Sequence, residues 1–326
     1  MKKVIITGGS GFIGSHIIKK FIAKKYTVLN IDKLAKESQK INFSKNYFLK
    51  KCDLRDTKKL KKIYKQFDPD IVINCAAESH VDRSILSPKF FFDNNVIGTV
   101  NLLENILNQR KKIYFLQIST DEVFGSLNQN RIKFTEDSKY EPRSPYSASK
   151  ASSDHVVRAY GETYKLDYMI TNCSNNFGPY QYPEKFIPVV IKSCINRTKI
   201  PLYGNGLNIR DWIFVDDHVE AIFKLIKYGK KNNTYLIGAN NEISNIKLAK
   251  KICKIYDYVF KTKNSKDLIH FIKDRKGHDF RYAIDSTKIK KHINWKPKIS
   301  FDQGLFITIN FYAKMISKLE KIFPYK

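Results

Sequence analysis

The chain has 326 residues, 42% of them apolar and 13% aromatic, which marks a globular chain and not a disordered one and leaves room for one large α/β unit or two modest domains. Its formal charge is +28, from 59 basic and 31 acidic side chains, yet 49 of the basic ones are Lys and only 10 are Arg, the residue that nucleic-acid readers use for bidentate contacts. Lys is spread along the whole chain beside abundant Asn, Ile, Tyr and Phe, all with AT-rich codons, so genome base bias explains the charge more simply than a nucleic-acid partner, while the surface still attracts acidic small molecules.

Near-continuous apolar runs at residues 2–7, 27–32, 47–53, 70–77, 112–119 and 168–175 predict strands. Amphipathic stretches at 14–24 and 56–66 predict helices between them. This alternation predicts a Rossmann-type, doubly wound parallel sheet with helices on both faces. After Asn175 the texture changes. "NNFGPYQYPEKF" is rich in turn formers and leads into a helix near Ile187, and "PLYGNG" and "NNEISN" predict loops. Arg210–Gly229 reads as strand then helix, and Phe301–Lys321 as a basic helix. The expected division is residues 1–174 and a smaller α/β substrate-binding part over 175–326, with 209–238 packing back on the first.

The five cysteines, Cys52, Cys75, Cys173, Cys194 and Cys253, are scattered, odd in number and without C-x-x-C spacing. They predict free thiols in a reducing compartment and neither disulfides nor zinc. Three glycines and a serine interrupt the apolar start, which does not read as a secretory leader. No segment reaches the roughly 18 apolar residues of a membrane span. The expectation is a cytoplasmic protein.

"VIITGGSGFIGSHII" joins a strand, a glycine turn and a helix start. Gly8 suits the tight turn, Gly11 a close backbone approach to a pyrophosphate, and Gly14 close helix–strand packing. The helix N-terminus then faces the phosphates. The second strand ends in Asp32, whose carboxylate suits a ribose diol and repels a 2′-phosphate, so NAD is expected over NADP; Lys33 beside it weakens that preference. Asp53 and Leu54 end the third strand, where an adenine would lie, and the small Ala76 and Ala77 follow the fourth.

Tyr146 and Lys150 stand four positions apart and share a helix face. A lysine ammonium beside a phenol favours phenolate, giving a base that takes a proton from a sugar hydroxyl as hydride leaves the same carbon. The strand before them ends in Thr120, Asp121 and Glu122. Two adjacent carboxyls repel, so one neighbouring charge raises the other's pKa, and a coupled pair of this kind supplies one acid and one base.

The stretches "TGGSGFIGSH", "CAAESHVDRSI", "ISTDEVFG", "SPYSASKASSDH", "TNCSNNFGPYQYPEKFIP", "PLYGNGLNIRDWIFVDDH" and "DRKGHDFRYAID" together resemble the extended short-chain dehydrogenase/reductase family, and within it the nucleoside-diphosphate-glucose 4,6-dehydratases. The resemblance implies a lyase with bound NAD acting on UDP- or dTDP-glucose, the first step toward rhamnose or other deoxysugars. It implies that Tyr146, helped by Lys150, takes the O4 proton while Thr120 bonds O4, that Glu122 takes the C5 proton, and that Asp121 protonates the leaving O6. It places Phe12, Ile13, Ser79, Asn94 and Asn176 with the residues above at the cofactor. Ser79, Asn175, Lys185, Phe186, Pro201, Tyr203, Arg210, Asn245, Arg275 and His278 would hold the nucleotide sugar. Arg210 and Arg275 suit pyrophosphate oxygens. Phe124 stands where the family usually has tyrosine, and the tail offers only Tyr325 as a match to a substrate-contacting tyrosine. The family pairs as a homodimer, here through helices around 94–109 and 147–164.

Two alternatives stand beside this reading. A nucleotide-sugar 4-epimerase or decarboxylase uses the same Tyr/Lys pair and NAD, but has no need of an elimination couple such as Asp121–Glu122. A non-catalytic nucleotide- or RNA-binding protein on the same fold would account for the charge. Uracil and thymine differ by one methyl, worth only about 1–3 kcal/mol in an apolar pocket, and no residue in the sequence distinguishes them.

Overall fold

The structure is a computed structural model and describes residues 1–35, 38–39, 45–128 and 132–322, with side chains to 315. Tyr325 and much of the stretch after Lys33 lie outside the described residues.

The chain opens with β1 (Lys3–Thr7), α1 (Phe12–Ala23), β2 (Thr27–Asp32), β3 (Tyr47–Lys51), α2 (Thr57–Phe67) and β4 (Ile71–Asn74). Next come α3 (Val81–Leu86), α4 (Pro88–Phe92), a π-helical turn at Asp93–Ile97, α5 (Gly98–Leu107), β5 (Tyr114–Thr120) and a 3₁₀ turn at Asp121–Phe124. The long α6 (Pro145–Tyr164), β6 (Tyr168–Cys173), β7 (Asn175–Phe177), α7 (Phe186–Asn196), β8 (Ile200–Tyr203), β9 (Ile209–Phe214) and α8 (Val215–Tyr228) follow. The chain then forms β10 (Asn233–Ile237), β11 (Glu242–Ser244), α9 (Asn245–Phe260), a 3₁₀ turn at Ser265–Leu268, β12 (Ile269–Ile272), α10 (Thr287–Ile293) and α11 (Phe301–Ile322).

Seven strands form one sheet in the order β10-β6-β5-β4-β1-β2-β3, every neighbour parallel. Its strands are apolar on both faces because helices cover both. Val4, Ile6, Ile73 and Leu116 pack toward α1 and α8, and Ile5, Val72, Phe115 and Ile170 toward α2, α5 and α6. Each such side chain, wholly buried, contributes about 1.5–3 kcal/mol of transfer free energy. The strand order reverses between β1 and β4. That switch point opens a crevice at the carboxyl ends of the strands, where ligands bind in open α/β sheets.

The smaller part contains a three-stranded mixed sheet, β11-β9-β7, and a two-stranded sheet, β12-β8. Its core joins Phe177, Ile187, Val190, Trp212, Leu248 and Ile309. The chain passes between the two parts at Ser174, whose N–H donates to Ile237 O at 3.0 Å. The run read as one strand over 168–175 is therefore split between two sheets. Two expected loops also differ. Ile200–Tyr203 and Glu242–Ser244 are short strands, paired with Ile269–Ile272 and with Ile209–Asp211. Their partners are remote in sequence, so turn-forming composition outweighs the strand signal in the one-dimensional reading.

Candidate active site

The glycine turn after β1 is built as its residues require. Gly8 has φ +63° and packs on the following segment so closely that an added Cβ would lie 2.6 Å from Ala76 Cα. At Gly14 an added Cβ would lie 2.2 Å from Gly8 O, so the first turn of α1 seats directly on the loop. Gly11 is the N-cap and brings no side-chain acceptor, and Gly11, Phe12, Ile13 and Gly14 line a deep cleft. Asp32 accepts the N–H of Ser10 at 3.0 Å through Oδ2 and that of Leu34 at 2.8 Å through Oδ1. It braces the loop and still faces the cleft. Lys33 also lines the cleft, in an ion pair with Glu78 and over the Phe90 ring. Asp53 is held by Arg55, through Nε at 3.0 Å and an η nitrogen at 2.7 Å, and this partner keeps its carboxyl below the ordinary range. Leu54, Ala76, Ala77, Ser79 and Asn94 complete this half of the lining. A backbone cradle that a single Cβ would fill, a helix start without a side-chain cap and a carboxylate at the end of β2 together fit a dinucleotide.

Two buried amides, which the sequence reading missed, support this wall. Asn74 accepts from Thr7 Oγ1 at 2.6 Å and donates to Thr99 Oγ1 at 3.1 Å and Gln117 Oε1 at 2.9 Å, tying β1, β4 and β5 where they reach the cleft. Asn95, in the π-helical turn, clamps Glu78 by accepting its N–H at 2.8 Å and donating to its carbonyl at 3.0 Å. It also donates to Ser149 Oγ at 2.9 Å. Single amides inside helix-like patterns leave no periodic signal; the π-bulge itself is the structural mark of such a site.

The other half of the cleft holds the reactive groups. Ser144 caps α6 in a reciprocal bond with Ser147, with Pro145 at the first helical position. Tyr146 and Lys150 follow, both buried. Lys150 Nζ donates to Ile118 O at 2.7 Å. Burial raises the Tyr146 phenol well above its ordinary value, and the Glu122 carboxylate, with Asp121, pushes the same way. Lys150, expected to lower that phenol together with the nicotinamide ring, is itself desolvated and held down by burial.

β5 ends at Thr120, and the 3₁₀ turn begins at Asp121. Thr120 Oγ1 accepts the Glu122 N–H at 3.3 Å and donates to Asp121 Oδ1 at 3.3 Å. Asp121 is 1% exposed and its Oδ2 has no partner among the described residues. Burial and then the Glu122 charge raise the Asp121 carboxyl well above its ordinary range, with Arg210 opposing. Burial raises Glu122 as well, but Arg275, Lys185 and Arg210 all pull it back. The two carboxyls thus stand in unlike surroundings, with three cations opposing burial at Glu122.

Lys185 donates to Ser79 O at 2.8 Å and lines the cleft with Asn175 and Asn176. Asn176 accepts from His218 Nδ1 at 2.8 Å and donates to Ser174 O at 3.0 Å; burial holds His218 neutral, at about 3. Arg210 is buried and donates to the carbonyls of Ile209, Asp279 and Phe280, at 2.7, 2.9 and 3.3 Å, with its guanidinium 4.2 Å over the Tyr282 ring. It acts on the site as a fixed charge. Arg275 is freer: an η nitrogen lies 3.8 Å from Asp82, and Nε has no partner among the described residues. His278 meets Asp274 at 2.6 Å, packs edge-on to Tyr203 and is pushed down to about 4 by burial and Arg275. Tyr203 donates to Asp82 at 3.2 Å.

Of the residues expected at the substrate, Ser79, Thr120, Asn175 and Lys185 line the cleft and seven lie outside its lining: Tyr203, Arg210, Arg275 and His278, described above, and three more. Phe186 opens α7 and packs toward Trp212. Pro201 is exposed on β8, opposite His270. Asn245 opens α9 and donates its N–H to Asn208 O at 3.0 Å. Each sits at an element end, where spacing in sequence says little about direction. Cys75, Cys173, Gln181, Tyr182 and Glu184 do line the cleft, though only the turn-rich stretch that contains most of them pointed there. Phe124 is buried between Phe134 and Tyr140 and is a packing residue.

The family model described as GDP-mannose 4,6 dehydratase matches residues 5–308. A dTDP-glucose 4,6-dehydratase of Neisseria meningitidis is 42% identical, over 96% of this chain and 93% of its own. The crystal structure of DesIV, a dTDP-glucose 4,6-dehydratase from Streptomyces venezuelae with NAD bound, superposes with a TM-score of 0.90 at 35% identity, over 97% of this chain and 98% of that one. A UDP-glucose 4-epimerase from Thermotoga maritima superposes with a TM-score of 0.87 at 25% identity, over 96% and 99%.

Proposed function

The chain belongs to the GDP-mannose 4,6-dehydratase family, and we propose that it is the NAD-dependent dehydratase that converts dTDP-glucose to its 4-keto-6-deoxyglucose derivative. Both parts of that specificity have support. The relative at 42% identity is a dTDP-glucose 4,6-dehydratase, which favours thymine over uracil. The scaffold alone does not separate dehydratase from epimerase, since both superpose closely. The single observation that carries the reading is the pair of carboxyls on one cleft wall, Asp121 buried with Oδ2 unpartnered among the described residues and Glu122 beside it, suited to serve as acid and base, which elimination of water requires and epimerisation does not.

NAD, when bound, supplies a hydride acceptor for C4 and returns the hydride to C6. Gly8, Gly11, Phe12, Ile13, Gly14, Asp32, Asp53 and Leu54 hold its adenosine and diphosphate side, and Ala76, Ala77, Asn94 and Asn176 the rest. Tyr146 takes the O4 proton, and the Thr120 hydroxyl bonds O4. The C4 ketone acidifies the C5 proton, which Glu122 removes. Asp121, protonated at the start, gives its proton to O6 as water leaves, and the proton held by Glu122 returns to C5 when the hydride reaches C6; the proton taken by Tyr146 makes good the one Asp121 gave up. Lys185 and Asn175 orient the hexose, while Arg210, Arg275, His278 and Tyr203 face the diphosphate and base. The rival reading is tested by incubating the purified protein with dTDP-glucose and UDP-glucose and weighing the product. Loss of one water supports dehydration; an unchanged mass rejects it in favour of epimerisation.

The division at Asn175 is kept as a functional one, the first part for the cofactor and the second for the nucleotide sugar. The protein forms a homodimer through the π-turn, α5 and α6, on which Ile97 and Tyr164 are 47% and 54% exposed; light scattering of the native chain and of Ile97→Asp tests this, with a monomeric native chain rejecting it. It works in the cytoplasm. All five cysteines are free thiols, and among the described residues no helix is long and apolar enough to cross a membrane.

A further inference from the structure

Behind the reactive groups lies a carboxylate that takes no part in the steps above. Asp154 is 0% exposed and stands on α6 four positions after Lys150 and eight after Tyr146, on the same helix face. Its Oδ2 accepts from Ser119 Oγ at 2.6 Å, Tyr140 OH at 3.0 Å and Asn172 Nδ2 at 3.4 Å. Three donors converging on one oxygen suit an ionised carboxylate. Oδ1 has no partner among the described residues. The network reaches the site from two sides. Ser119 directly precedes Thr120, and Asn172 also donates to Thr120 O at 3.1 Å. Arg158 anchors the far end by donating to Tyr140 OH at 3.0 Å.

We propose that Asp154 is a positioning residue for the dehydration, fixing the β5 end that carries Thr120, Asp121 and Glu122 against α6 and supplying the buried negative charge that keeps Lys150 an ammonium. The neighbours leave little else to do this. Lys150 faces Asp154 on its own helix, Cys75 after β4 and Cys173 on β6. Burial raises both thiols, Cys75 to about 12 and Cys173 further, so neither is an anion at neutral pH. Burial raises the Asp154 carboxyl, while Lys150, the bond from Ser119, Arg158 and the bond from Tyr140 oppose that rise and favour its anion. An isolated ammonium in so dry a place sheds its proton. A carboxylate four residues along the same face opposes that.

The inference rests on the proposed dehydratase reading only for what Lys150 assists; the state of Lys150 is measurable without turnover. In the full-length protein, cyanate carbamylates only the neutral amine, and peptide mass spectrometry follows Lys150 against pH. Asp154→Asn keeps shape and acceptor but removes the charge. Its labelling midpoint is expected to fall by about one pH unit, tenfold in the fraction of neutral amine, and the alkaline limb of the kcat profile moves down with it. Asp154→Glu keeps the charge and restores the midpoint even where its rate is reduced. Asp154→Ser serves the same comparison if the asparagine chain does not fold. An unmoved midpoint in a folded neutral variant overturns the proposal, since a merely structural carboxyl changes melting and not the titration of Lys150. A native chain that leaves every nucleotide-glucose intact removes the proposed function, and the labelling midpoints still decide the role of Asp154.

Discussion

Thr120 donates its hydroxyl to Asp121 Oδ1 at 3.3 Å, while Oδ2 of the same carboxyl has no partner among the described residues. A buried carboxyl with one oxygen engaged and the other bare is best satisfied as the neutral acid, its proton on the bare oxygen. Asp121 lines the cleft, where a leaving hydroxyl would receive its proton. Glu122 has Arg275, Lys185 and Arg210 to favour its anion. Burial thus favours the neutral acid at Asp121, while Arg275, Lys185 and Arg210 oppose burial at its neighbour Glu122.

Removing either role stops elimination while leaving the dinucleotide in place. Asp121→Asn and Glu122→Gln keep the shape of the site and are each expected to lower formation of the dehydrated product by about 10²–10⁴-fold, the usual size of a lost general acid or base. NAD content, read by absorbance after denaturation, stays at the native level. Normal dehydration by both variants rejects the assignment of the couple.

The same burial has a stability cost with a defined sign. Asp121 has a folded-state pKa raised from 3.8, so its contribution favours the fold below the unfolded pKa and is lost as pH rises through the folded one. Asp121→Asn carries no such group. It is expected to melt at a higher temperature than the native chain at pH 7, with the gap shrinking as pH falls toward 3.8, a trade of stability for function. Calorimetry at several pH values checks this, and a variant that melts lower at neutral pH contradicts it.

Much of this arrangement could be read from the residues because the signals were local. The glycine turn, Asp32 at the end of a strand, and Tyr146 with Lys150 on one helix face are each defined by short spacings, and the fold places them in one cleft. The elements that escaped notice depend on remote partners. β8 exists because Ile269–Ile272 lies beside it, and Asn74 and Asn95 matter through bonds to residues far along the chain. The Tyr146 phenol shows the same limit: Lys150 is visible four positions away, but burial and the Glu122 charge that oppose it are three-dimensional facts.

Asp32 combines a structural duty with recognition. Its carboxylate holds the N–H groups of Ser10 and Leu34, so Asp32→Ala loosens the turn as well as losing the ribose contact. Charge-assisted hydrogen bonds of this kind are each worth about 1.5–3 kcal/mol, and NAD affinity is expected to fall by at least tenfold. Asp32→Asn retains an acceptor for the turn and removes the repulsion of a 2′-phosphate, narrowing the preference for NAD over NADP. Titrations with both dinucleotides separate the two effects; an unchanged preference in Asp32→Asn shows that the charge does not discriminate.

Tyr146 provides the most direct test of how the parts cooperate. In the protein alone, burial and the carboxylates of Glu122 and Asp121 hold its phenol well above 10.0, too high for a base at neutral pH. Lys150 offsets part of this only while it remains charged, so the remaining shift must come from the positive nicotinamide ring placed beside the phenol. The absorbance of phenolate in the native chain minus that in Tyr146→Phe isolates this one tyrosine. Its midpoint is expected above 10.0 without NAD and lower once NAD is bound, and Lys150→Met is expected to raise it in both states. A phenol that already ionises near neutrality in the cofactor-free protein would show that Lys150 suffices, and the electrostatic division of labour between lysine and cofactor would be wrong.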